Sequence, residues 1–196
     1  YDELSALGGG RLFGSNADVL LARGQHAQAL AALAKDTDRD SPIQRLWKGL
    51  RRVAVHADRG QFAEALAELD TLEKSPGVLN SVSDQARLQL AHMAVQVASG
   101  DSAGFSAALP AYLEAQLARV DRAGETYDFS SVSHALLGGL LAARHGEPAR
   151  AREVLEKTRA ISLGSGYPER EALWQALDAE LALAEGKLEE EALVAR

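Results

Sequence analysis

From Val53 to Leu72 the chain reads VAVHADRGQFAEALAELDTL. An apolar stretch at helical spacing runs into Arg59-Gly60, and a second amphipathic stretch follows at once. In it, Leu66, Leu69 and Leu72 fall on one side of a helix. Gly60 marks the turn, because only glycine enters the left-handed conformation past a helix end without a Cβ penalty. The same phrase recurs as LLARGQHAQALAAL, VQVASGDSAGFSAAL, LAARHGEPARAREVL and LALAEGKLEEEALV, with turn glycines at Gly24, Gly100, Gly146 and Gly186. The five glycines are spaced by 36, 40, 46 and 40 residues. Ala29, Ala65 and Ala151 each stand five residues after their glycine. Phe105 takes that place in the third phrase, and Ala192 comes one residue late in the fifth. A small residue there predicts a close approach of two helix backbones. The pattern predicts an all-α chain of about five helix-turn-helix units.

Taken in order, residues 1–15 with Gly8-Gly9-Gly10 read as a cap or linker. No strand precedes these glycines and no Gly-Lys-Ser/Thr follows, so the context of a phosphate loop is missing. The first unit's helices end at Arg23 and run from about His26 to Lys35. In DTDRDSP, Asp40 or Ser41 is placed to cap the next helix, with Pro42 in its first turn. Asp36, Asp38 and Asp40 alternate like the opening of a calcium loop, but its glycine and closing glutamate are absent. The second unit stops at Pro76-Gly77, and Ser83 or Asp84 is the expected cap of the next helix. Pro110 falls inside a helix and predicts a bend. Residues 121–131 form a longer connection and the natural divide between two halves. Gly138-Gly139 lie mid-helix at a cost of about 1 kcal/mol each against alanine, which close packing would offset. Pro168 opens the last long helix, and KLEEEALVAR reads as a short final one.

The second unit carries Gly60, Phe62, Ala65, Leu69 and Pro76, and the fourth has the small Gly139 seven residues before its turn. With these features the chain resembles the tetratricopeptide repeat (TPR) family. The resemblance implies a right-handed α-solenoid of TPR-like repeats: a cap at 1–15, repeats 1–3 at 16–120, a connecting loop at 121–131 and repeats 4–5 at 132–196, in one continuous domain. The units are longer than the family's, Phe105 replaces a small residue, and several usual aromatics are lacking. The resemblance is therefore to a TPR-like rather than a strict array. It also implies a groove lined by the first helix of each pair. Transferred by position, that groove takes Trp47 and Leu50 in the second unit and Arg87 and Leu90 in the third. The fourth gives Leu136, Leu140 and Arg144. Ala54, Asp58, Ala94, Val97, Leu173, Ala176 and Glu180 extend it. Gly14 and Asp18 stand where chaperone-tail binders of the family hold a peptide carboxylate, so that clamp is not expected.

Composition narrows the chemistry. There is no cysteine, which excludes disulfides, thiolate metal sites and a cysteine nucleophile. The 21 Lys and Arg against 28 Asp and Glu give a net charge of −7, which argues against non-specific nucleic-acid binding. Arg51-Arg52 reads as solvated surface. No apolar run is long enough to span a membrane, and no basic-then-apolar leader opens the chain. The five histidines, His26, His56, His92, His134 and His145, form no HExxH pair and read as surface or partly buried helical residues. Gly164-Ser165-Gly166 lacks the strand-turn-helix setting of a nucleophile elbow, and Glu189-Glu190-Glu191 reads as a solvated face. No catalytic, metal or cofactor site is expected. The expected role is a non-catalytic scaffold that binds a protein or peptide, or itself, with Trp47 as an anchor or as core. It would be part of a larger bacterial protein, given a start at Tyr1 and an Ala/Arg/Gly-rich style. A sensor domain of a regulator or signalling enzyme and a dimerisation module are the alternatives. The cytoplasm is favoured as the compartment, with the periplasm open if an anchor lies elsewhere.

Overall fold

The computed structural model describes residues 16–34, 40–122, 129–163 and 166–186. Gly8–Gly10, Asp36, Asp38, Gly164-Ser165, Glu189–Glu191 and Ala192 lie outside the described residues, as does most of the 121–131 connection. Among the described residues there are nine helices and no strand, so the protein is all-α as the periodicity predicts. They are α1 (Asn16–Ala22), α2 (His26–Leu33), α3 (Pro42–Asp58), α4 (Phe62–Lys74), α5 (Val82–Ser99), α6 (Ser102–Arg122), α7 (Phe129–Arg144), α8 (Pro148–Ser162) and α9 (Pro168–Ala184).

The turn glycines form one repeated device. Gly24, Gly60, Gly100, Gly146 and Gly186 have φ of 68°, 70°, 81°, 83° and 72°. After the second helix-turn glycine, the Gln61 N–H donates to His56 O at 2.8 Å and the Gly60 N–H to Ala57 O at 2.9 Å. These two bonds satisfy the last carbonyls of α3 in a Schellman closure. Gln25, Asp101 and Glu147 donate in the same way to Leu20, Gln96 and Ala142. The residue after the glycine then caps the next helix: Gln25, Gln61, Asp101 and Glu147 accept at their carbonyls from Ala29, Ala65, Phe105 and Ala151. Each of those four donors is at most 1% exposed. The place five residues past the glycine is therefore the first buried position of every described second helix, and Phe105 fills it as Ala does elsewhere.

The chain divides into two compact units, residues 1–84 and 85–196. In the first, α1 packs on α2, α2 on α3, and α3 on α4. Ala17, Ala29, Leu33 and Val55 form one buried cluster. The approach of α3 to α4 depends on Gly49, where an added Cβ would lie 2.5 Å from Leu72 Cδ2. Ser41 caps α3 in a reciprocal box with Gln44. The cap of α5 is Ser81, whose Oγ accepts from the Asp84 N–H at 3.1 Å and donates to the Asp84 carboxylate at 2.7 Å. That corrects the expected cap at Ser83 or Asp84. The Ser-x-x-Asp spacing of a capping box was the readable signal. Arg51 and Arg52 are not simply solvated either. Arg51 makes a two-pronged pair with Asp18 (2.6 and 3.0 Å), and Arg52 pairs with Glu68 at 2.5 Å.

In the second unit α7 is the central element, packed on α6, α8 and α9. Its paired glycines make this possible. A Cβ on Gly138 would lie 2.7 Å from the Tyr112 ring on α6, and one on Gly139 would lie 2.9 Å from Leu177 on α9. The helices on either side of the 121–131 connection, α6 and α7, thus belong to one core. α6 continues through Pro110 as one helix. Phe105 also stands edge-on to His145, with ring centroids 5.5 Å apart.

Candidate interaction surface

In a helix packed on one side by its pair-mate, residues 3.6-periodic on the opposite side stay open. Counted back from each turn glycine, the places at 13, 6 and 2 residues are accessible in every first helix long enough to have them. On α3 these are Trp47, half-buried, with Ala54 and Asp58 exposed. On α5 they are Arg87, half-buried, and Ala94 and Ala98, exposed. On α7 they are Ser133 and Leu140, half-buried, with Arg144 exposed. On α9 they are Leu173 and Glu180, half-buried, with Ala184 exposed.

The place at 10 residues divides. Leu50 and Leu90 are half-buried and Ala176 is exposed, but Leu136 is 0% exposed and sits in the core of the second unit. The cause is the position of α7: with neighbours on three sides it keeps only a narrow open strip, which runs through Leu137 and Leu140 to Arg144. Leu90, Val97, Leu140 and Leu173 rest one side on that core while the other side stays accessible.

The strip of the second unit is tied together by charge. Arg144 on α7 donates through Nε (2.8 Å) and Nη2 (2.5 Å) to Glu180 Oε1 on α9. The hydrogen bond to Arg144 holds the Glu180 carboxyl below its ordinary pKa, and the same bond raises that of the guanidinium. In the first unit Asp18, expected at the place of a peptide clamp, is engaged with Arg51.

The polar groups buried in the second unit sit toward one end of its helices. Gln116 lies late in α6, Ser131 and His134 early in α7, Thr158 and Ser162 late in α8, and Arg170 early in α9. The sequence reading missed this gathering, because a lone Ser or Arg on an apolar stripe carries no signal of its surroundings. Backbone carbonyls absorb several of the polar groups at these helix contacts. Tyr112 OH donates to His134 O at 3.1 Å, Thr158 Oγ1 to Val154 O at 2.7 Å and Trp174 Nε1 to Leu155 O at 2.9 Å. Burial raises the pKa of the Tyr112 phenol well above its ordinary value, against a smaller opposing effect of Arg119. A phenol held neutral and bonded to a carbonyl fixes α6 against α7. Arg170 lies 4.7 Å from the Tyr167 ring centroid.

Among the described residues no helix is long and apolar enough to cross a membrane. No family model, curated protein or solved structure matches the chain.

Proposed function

We propose that this chain is a non-catalytic protein-interaction module of TPR-like solenoid type, in which the open strip on the first helices within a unit takes an amphipathic helix or apolar peptide. The observation that carries the reading is the recurrence of accessible side chains at the same distances before each turn glycine, with half-exposed leucines at Leu50, Leu90 and Leu140. Such leucines have apolar surface left to bury, at about 25 cal/mol per Å². They sit on rigid, capped helices, which keeps the ordering cost of binding low. The repeated closure at the glycines supports the array type, since it sets the same reversal of direction in each pair. The non-catalytic reading is supported by Tyr112 and Thr158, whose buried hydroxyls are engaged by backbone carbonyls.

The test is a selection of helix-forming peptides from a random library on the folded chain. Enriched peptides should share apolar residues at i, i+3 or i+4 and i+7. They should lose binding to Ala94→Glu, which alters an exposed position and leaves the circular dichroism melt unchanged. Enriched peptides that bind Ala94→Glu as well as the parent would remove the strip from consideration. Trp47→Ala adds a second reading for the first unit: an unchanged melt with weaker capture makes Trp47 an anchor, and loss of the folded signal makes it core.

A further inference from the structure

We draw no further inference here: the strongest candidate, the groove of about 480 Å³ between α6 and α8 floored by Leu113 and Leu117 and walled by Glu114, Asp121, Arg150 and Lys157, carries charges of both signs, of which Lys157 and Asp121 already pair with each other at 3.8 Å, and nothing in the structure shows what covers it.

Discussion

Gly138→Ala is the sharpest test of how the second unit is packed. In a helix interior the change alone should stabilise by about 1 kcal/mol. Here the new Cβ would lie 2.7 Å from Tyr112 Cε1 and 2.8 Å from Leu113 Cδ2, where carbon atoms prefer about 3.5–4.0 Å. One side must therefore give by almost an ångström. Tyr112 is 3% exposed and its hydroxyl is held by the His134 carbonyl, while Leu113 is equally buried. Overpacking of this kind costs about 1–3 kcal/mol, and losing the phenol hydrogen bond adds about 1 kcal/mol. The helix gain offsets only part of this, which leaves a net loss of about 2 kcal/mol. Urea unfolding followed by Trp174 fluorescence in a Trp47→Phe background reads the second unit by itself, with the slope checked for a common transition. In a Tyr112→Leu background the ring's share of the clash is relieved while that with Leu113 stays, and Gly138→Ala should then cost less. If Gly138→Ala stabilises the parent, α6 and α7 do not approach as described and the reasoning fails.

Other outcomes follow from single contacts. Gly60→Ala should cost about 1–2 kcal/mol, because φ there is +70° with open space around it, so the whole penalty is conformational; Gly60→Asn should cost less in the same denaturation assay. Ser81→Ala should lose about 1 kcal/mol through the cap of α5, whereas Ser83→Ala should stay within a few tenths; reversal of that order would return the cap to Ser83. The Glu180 carboxyl should titrate below the ordinary glutamate range by carbon-detected NMR and return to it in Arg144→Ala. Since its folded pKa is the lower one, the pair's small stabilisation is present above the unfolded pKa and is lost as pH falls through the folded value. Phe105→Ala should cost about 3–5 kcal/mol, because the ring is 1% exposed, although three other units hold alanine at that place.

The turns were legible because they are local. A glycine followed by four residues and a small side chain specifies a helix end, a cap and the first buried contact within one short stretch of chain. All five glycines adopt the expected conformation. The cap of α5 was legible too, in Ser81 and Asp84, but two nearby serines competed for the reading. The groove positions transferred from the family are accessible on α3, α5 and α9, whereas Leu136 on α7 is buried, because a period of 3.6 cannot tell how many neighbours a helix will have.

By itself, then, the sequence determined an all-α chain, the helix pairs, the glycine turns and the absence of cysteine chemistry, all of which are set by neighbours in sequence. The tertiary structure decided the rest. It divided the chain between Asp84 and Gln85, inside a continuous helix where composition does not change. It paired Asp18 with Arg51 and Arg144 with Glu180 across 33 and 36 residues. It drew Gln116, Ser131, His134, Thr158, Ser162 and Arg170 inside while leaving Ala172, Ala179 and Leu183 exposed. Burial is a property of what packs against a side chain: Ala86 and Ala172 both stand 14 residues before a turn glycine, yet Ala86 is 1% exposed and Ala172 is exposed.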